Sequence, residues 1–293
     1  RLAALHGVPP STVLMGAGSG EPLRVATEVF CEKGHPPVIA EPPFEAVART
    51  AGIAGIEAVQ IPLTAAGIHD VEKMVEAARR HSAGLLYLCN PANPTGTIIT
   101  REQLAWTVEN LPAGTTLLAD EAYGDFVDDP RYQSAIPYVK QGRPVVLLKT
   151  FSKIYGLAGM RMGFAIGPPP LIARMGPQML GGIVFNQAVV AGALAGLDDR
   201  AQYEHLQKEN ARVRRFLIEG FQEMGYRSFP SQANFIMVDL RRPIGPLRAR
   251  FEARGFALGR LFPSLPNHLR ITLGRMPDME RFLPLAREIL SAA

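Results

Sequence analysis

Apolar positions along this 293-residue chain alternate between two rhythms. Short continuous apolar runs, the mark of strands buried on both faces, occupy 13–15, 37–40, 84–89, 115–119 and 145–148. The stretches 55–62 and 163–167 read the same way. Between them, apolar residues recur at steps of three and four. Leu23, Ala26 and Phe30 do so behind Pro22, and 71–80 and 100–110 repeat the pattern. Thr100 stands where it would cap its helix, and Ser19 where it would cap the helix that Pro22 opens. Strand, loop and helix keep alternating, which predicts a mostly parallel sheet flanked by helices.

After Gly167-Pro-Pro-Pro170 the rhythm changes. Three helices are expected over 171–180, 185–197 and 198–224, the third rich in alternating charge and largely exposed. A strand at 234–240, a helix at 246–254, the stretch 256–262, a strand at 268–273 and a helix at 278–290 complete the chain. The fold class is therefore α/β, with a large domain over 1–185 and a smaller α/β C-terminal domain over 186–293 carrying a small antiparallel sheet.

Composition narrows the function classes. With 47 % hydrophobic and 20 % charged residues, the chain can bury a sizeable core. The net charge of +4 comes from scattered arginines. Arg212, Arg214 and Arg215 fall in one predicted helix and Arg241-Arg242 end a strand, so solvated faces account for them and no nucleic-acid partner is expected. Cys31 and Cys89 sit in apolar surroundings without metal-ligand spacing; they read as buried free thiols, with no disulfide framework and no metal. The most apolar window, 181–197, is interrupted by Asn186-Gln187 and reads as a buried helix rather than a membrane span. No signal peptide is legible, and a cytoplasmic location is expected. The chain begins with Arg1 rather than Met, which leaves room for an exported form with a leader or for a longer N-terminal segment.

The chemistry gathers where strands end. Val145-Val-Leu-Leu-Lys-Thr-Phe-Ser-Lys153 carries an apolar run into a turn with two hydroxyls and a lysine, and a Gly-rich segment leads on to Arg161. Charge at the end of a buried strand is costly unless something compensates it. Lys153 reads either as a surface lysine or as a Schiff-base lysine whose neighbours Thr150, Ser152 and Arg161 hold an anionic cofactor. Upstream, Gly16-Ala-Gly-Ser-Gly20 leads into a helix whose backbone amides suit a phosphate. A dinucleotide fingerprint fails on spacing, because its third glycine would fall at Glu21. Asn90-Pro-Ala-Asn-Pro-Thr-Gly96 presents two amides, and Asp120, Glu121 and Tyr123 end another strand. Phe44, at the tip of a proline turn, reads as core or as a cofactor contact.

Four motifs in order resemble the fold-type-I, pyridoxal-phosphate-dependent aminotransferases, with the closest likeness to the histidinol-phosphate aminotransferase branch. They are Asn90-Pro-Ala-Asn-Pro-Thr-Gly96, Ala119-Asp-Glu-Ala-Tyr123, Thr150-Phe-Ser-Lys-Ile-Tyr-Gly-Leu-Ala-Gly-Met-Arg161 and His268-Leu-Arg-Ile-Thr-Leu-Gly274. The resemblance implies pyridoxal 5'-phosphate as cofactor, and it implies a role for each matching position. Lys153 would carry the Schiff base and then move the proton, and Asp120 would keep the ring nitrogen protonated. Asn93 and Tyr123 would bond the ring's phenolic oxygen, and Phe44 would stack on the ring. Ser19, Gly20, Thr150, Ser152 and Arg161 would hold the phosphate. Arg270 would clamp the substrate carboxylate, and Asn93 would also contact the substrate. Glu121 would only shape its turn.

Relatives in that family usually carry several tens of residues before the position matching Arg1, which complete the small lobe and reach the neighbouring subunit's site. They are usually homodimers, so a homodimer is expected. The stretch Leu258-Gly-Arg-Leu-Phe-Pro263 departs from the branch's pattern, and Arg260 reads either as a second anion contact or as an exposed residue. The implied reaction is ping-pong transfer of an amino group between an L-amino acid, or a histidinol-phosphate-like amine, and a 2-oxo acid. A decarboxylase or lyase of the same fold is the chemical alternative, and a non-catalytic cofactor-sensing domain is the alternative of a different class.

Overall fold

In the computed structural model, which describes residues 1–291, seven strands form the main sheet. They are β1 (Val13–Gly16), β2 (Pro37–Glu41), β3 (Val59–Pro62), β4 (Leu85–Cys89), β5 (Thr116–Asp120), β6 (Val145–Thr150) and β7 (Gly163–Ile166). Their spatial order is β1-β7-β6-β5-β4-β2-β3. Strands β2 to β6 run parallel to one another, and β7 runs against both of its neighbours, β1 and β6. The register pairs Cys89 with Asp120 and Asp120 with Leu148, so β4 and β5 finish level and β6 runs two residues further, to Thr150. Polar residues at or just beyond those ends are thereby gathered along one edge, where open α/β sheets bind their ligands.

Successive side chains of the central strands serve opposite faces. Leu86, Leu88, Leu117 and Leu147 belong to one core, while Leu85, Tyr87, Leu118 and Leu148 belong to the other. That is why their sequences read as unbroken apolar runs. Helices Val71–Arg80 and Arg101–Asn110 cover the first face, and Gly20–Phe30, Ala46–Ile53 and Pro169–Met175 cover the second. Thr100 caps its helix as expected, accepting from the Gln103 amide while Gln103 Oε1 accepts from the Thr100 amide at 2.9 Å. Ser19 does not act as a cap: its backbone is already helical and its side chain makes no capping bond. Glu21 instead ties the turn, accepting from Ala17 N and Leu180 N, each at 2.7 Å.

The helix expected over 171–180 is shorter, Pro169–Met175. Pro177 ends it, because it has no N–H to give, and the chain tightens into a 3-10 turn over Gly176–Gln178. A second sheet joins β8 (Arg227–Ser228), β9 (Phe235–Asp239) and β10 (His268–Thr272) in the antiparallel order β10-β9-β8. Its apolar side packs with Val213, Leu217, Phe251 and Phe282 into a third core. The helix Arg200–Glu223 bridges the lobes: Tyr203 and Leu206 lie against the large sheet's core, and Val213 onward against the small one's. Buried Arg214 reinforces that junction with a 2.6 Å ion pair to Asp128. Helix Gln187–Asp198 sends Val189 and Ala193 into the first core, so it packs with the larger unit although it follows the expected boundary at 185/186. The last two positions of the expected small domain, 292 and 293, lie outside the described residues. Both cysteines are free and buried, as expected. Among the described residues no helix is long and apolar enough to cross a membrane.

Candidate active site

At the end of β5 the Asp120 carboxylate is 3 % exposed. Its Oδ2 accepts from the Tyr87 hydroxyl at 2.9 Å and its Oδ1 from the Ala122 amide at 3.1 Å. Burial pushes its pKa up; those two donors and the Lys153 charge oppose the shift. Tyr123 lies three residues on, its ring edge-on to Phe235 with centroids 5.1 Å apart. Lys153 Nζ sits 5.1 Å from the centre of the Tyr123 ring. Burial and then the nearby Arg270 cation lower the Lys153 pKa, with Asp120 pulling the other way. An amine so placed is a better nucleophile and base near neutrality than a surface lysine.

The Asn90–Gly96 loop contains two cis prolyl bonds, at Asn90-Pro91 and Asn93-Pro94. Asn90 Oδ1 fastens it by accepting from Ile99 N at 3.0 Å. Gly96 lies so close to the small lobe that a Cβ there would be 2.1 Å from Ser231 Oγ. Asn93 Oδ1 accepts from Arg270 Nη1 at 2.8 Å. The Arg270 guanidinium lies over the rings of Phe235 and Phe262, at 5.1 and 5.6 Å. Its Nε is buried with no hydrogen-bond partner. A planar cation held between aromatic faces, with donors to spare, suits a carboxylate.

Around the Gly18 loop, Arg161 takes a left-handed backbone (φ 57°) and donates to the carbonyls of Ala158 at 2.8 Å and Ala17 at 3.4 Å. A Cβ on Gly18, itself at φ 76°, would lie 2.4 Å from Arg161 Nη2. Gly163 approaches the same loop from below: a Cβ there would meet the Ser19 amide nitrogen at 2.3 Å. Thr150 Oγ1 accepts from Ser152 N at 3.1 Å and closes the turn that leads to Lys153. Gly20 is not needed for space, since nothing lies within 4 Å of its missing Cβ. Phe44 is half-buried against the core cluster that holds Tyr87 and Cys89.

Three features escape the sequence. Tyr87 is one; the parity it shares with Cys89 along β4, together with a polar tip in a buried strand, is the signal that could have found it. The Phe235–Phe262 pair around Arg270 is another, and it has no local signal. The third concerns Arg260, which is exposed, as one of its two readings had it, but pairs with Glu45 and lies over Phe262 at 4.6 Å. Glu121 does shape its turn, accepting from Ser134 Oγ at 2.7 Å and Ala135 N at 2.6 Å.

A buried carboxylate that accepts two hydrogen bonds, an amine of lowered pKa and two arginines with hydrogen-bonding capacity together fit a cofactor with a basic ring nitrogen, an electrophilic carbon and a phosphate. The glycines at 18 and 163 supply the backbone approach such a phosphate requires.

Fold and site together define an aminotransferase, and the chain belongs to the aminotransferase class I and II family, whose model matches residues 1–283. It is a pyridoxal-phosphate-dependent enzyme of that family. It is 38 % identical to the histidinol-phosphate aminotransferase of Symbiobacterium thermophilum, aligning over 100 % of this chain and 79 % of that one. Among solved structures, a protein from Erwinia carotovora atroseptica, provisionally named a histidinol-phosphate aminotransferase, superposes with a TM-score of 0.96 at 34 % identity. That match covers 99 % of this chain and 84 % of the other. The histidinol-phosphate aminotransferase of Sinorhizobium meliloti, solved in complex with pyridoxal-5'-phosphate, shares the fold with a TM-score of 0.90 at 24 % identity, covering 99 % and 80 %.

Proposed function

We propose that this aminotransferase takes histidinol phosphate or a closely similar amine as donor and a 2-oxo acid as acceptor, working in the cleft between the two lobes. The observation that carries the site assignment is Lys153, a half-buried amine 5.1 Å from the centre of the Tyr123 ring, whose pKa burial and the Arg270 cation lower while Asp120 opposes them. The donor is suggested by the named relatives. When bound, pyridoxal phosphate supplies an aldehyde carbon for Lys153 and a ring that accepts the electron pair left at the substrate carbon.

The chain's own residues then divide the work. Lys153 holds the cofactor and afterwards takes and returns the substrate proton, which its lowered pKa favours. Asp120 keeps a proton on the ring nitrogen. Asn93 and Tyr123 orient the ring from the phenolic side, and Phe44 covers one face. Ser19, Gly20, Thr150, Ser152 and Arg161 hold the phosphate, with Arg161 as the planar fork. Arg270 clamps a substrate anion, leaving its Asn93 bond or sharing it. Within the same reading, we place the boundary between the two domains inside the helix Arg200–Glu223, where its packing passes from one core to the other.

A homodimer is part of the proposal. Leu180, Ile183 and Leu194 are large apolar side chains that stay exposed, the first two just before the helix Gln187–Asp198 and the third on it, and that helix is apolar almost all round. A second copy of the chain is the occupant we assign to that face. Sedimentation should give a dimer mass, and a monomer at micromolar concentration would overturn it.

The deciding experiment is a single-turnover screen of holoenzyme with amino donors, histidinol phosphate and aromatic amino acids among them. Loss of the cofactor's aldehyde-form absorbance on mixing, reversed by 2-oxoglutarate, is the expected result. Release of carbon dioxide or ammonia without amino transfer would favour the lyase alternative.

A further inference from the structure

We propose that Tyr87 is a positioning residue for the cofactor-facing carboxylate, setting through its hydroxyl how strongly Asp120 holds a proton on the cofactor's ring nitrogen. The inference rests on the assignment of Asp120 to that nitrogen.

The geometry follows from the sheet. Tyr87 on β4 is level with Leu118 on β5, and Asp120 lies two residues further along. Two residues of strand span about 6.6 Å. A tyrosine leaning along the strand crosses that distance and sets its hydroxyl 2.9 Å from Asp120 Oδ2. No shorter side chain does so from position 87. Phenylalanine would fill the same volume without the hydroxyl.

Both partners are buried, at 2 % and 3 % exposure, so water cannot replace a lost donor. Burial first, and then the Asp120 charge, keep the phenol far from ionising, so it serves as a donor throughout the working pH range. Of the groups that counter the effect of burial on Asp120, the Tyr87 bond is the largest, ahead of the Ala122 amide and the Lys153 charge. A donor to the carboxylate favours its charged form. A charged Asp120 in turn favours the cationic ring nitrogen. Removing the hydroxyl moves the shared proton toward Asp120, leaves the ring less cationic and weakens it as an electron acceptor. No bond is made or broken at Tyr87.

The test uses Tyr87→Phe holoenzyme beside wild type and Asp120→Asn. Three quantities are read: the pH midpoint of the cofactor's visible absorbance change, the dissociation constant for pyridoxal phosphate titrated into apoprotein, and kcat against KM for the donor. The Phe variant is expected to raise the absorbance midpoint, to weaken cofactor binding several-fold and to lower kcat about tenfold, the factor a hydrogen bond to a charged group commands. KM for the donor should change little. Incorporation of 3-fluorotyrosine at position 87, a stronger donor of the same shape, should move the midpoint in the opposite direction, and this variant stands in if the Phe protein does not fold.

An unchanged midpoint in the Phe or fluorotyrosine protein, with Asp120→Asn shifted, would overturn the role of Tyr87 while leaving the cofactor reading intact. An unchanged midpoint in Asp120→Asn would overturn the placement of Asp120 itself, and the Tyr87 proposal with it. A Phe variant that loses only thermal stability shows a packing role and also overturns the proposal.

Discussion

Arg270 Nη1 donates to Asn93 Oδ1 across 2.8 Å, joining a strand of the small lobe to the loop that ends β4 of the large one. The bond leaves the rest of the guanidinium between two aromatic rings. A substrate anion arriving there would meet a fork already oriented. Truncation, Arg270→Ala, should therefore lower kcat/KM for the donor by roughly a hundredfold or more, the scale for removing one partner of a buried charged contact. Cofactor affinity should stay within a few-fold. Equal losses in cofactor and substrate binding would show that Arg270 maintains the cleft rather than clamps the substrate.

Lys153 can be tested without turnover. Borohydride treatment of wild-type holoenzyme should fix one cofactor mass to the peptide containing Lys153, while Lys153→Ala should retain none. A reduced adduct in the alanine protein would remove the central assignment.

The charge environment of Lys153 gives a second check. The Arg270 cation is the largest charge effect lowering its pKa, so taking that cation away should raise it. In apoprotein, Arg270→Met should then slow the reaction of Lys153 with trinitrobenzenesulfonate at pH 8, because less amine is unprotonated. A faster reaction would mean that exposure rather than charge controls the lysine.

Gly163 permits the close approach of β7 to the Gly18–Ser19 backbone. Alanine there would push against main-chain atoms at 2.3 and 2.5 Å, which cannot rotate away. Gly163→Ala should cost about 1–3 kcal/mol in chemical denaturation and weaken cofactor binding more than tenfold. Unchanged affinity would detach this loop from the phosphate grip.

His69 predicts an acid-sensitive fold. It is fully buried, bonds the Cys89 carbonyl through Nε2 at 3.1 Å, and has its pKa lowered from 6.5 to about 4 by burial. Between those values the unfolded chain binds more protons than the folded one, so stability falls as pH drops from about 6.5. The full loss, about 3 kcal/mol, is reached below pH 4. His69→Gln should flatten that slope in urea titrations at pH 7, 6 and 5, whatever its effect at pH 7. An unchanged slope would assign the acid sensitivity to other groups.

Much of this was legible in the chain. Continuous apolar runs set the buried strands, because only a strand covered on both faces tolerates no polar alternation. The strand-end motifs that carry Asp120, Tyr123 and Lys153 fall along one edge, since a parallel sheet delivers its strand ends there whatever the helices between them do. Thr100 capped its helix as its local pattern implied; Ser19 did not, because its backbone is already helical and Pro22, at the third helical position, has no N–H to bond. Tertiary packing decided what no local pattern encodes. It placed Tyr87 under Asp120 through the β4–β5 register, brought Phe235 and Phe262 to Arg270 from separate stretches, and gave Arg260 a partner in Glu45. Hydrophobic periodicity fixes which face of an element is buried, but the partner met on that face depends on register and crossover between distant segments, and that information exists only once the chain has folded.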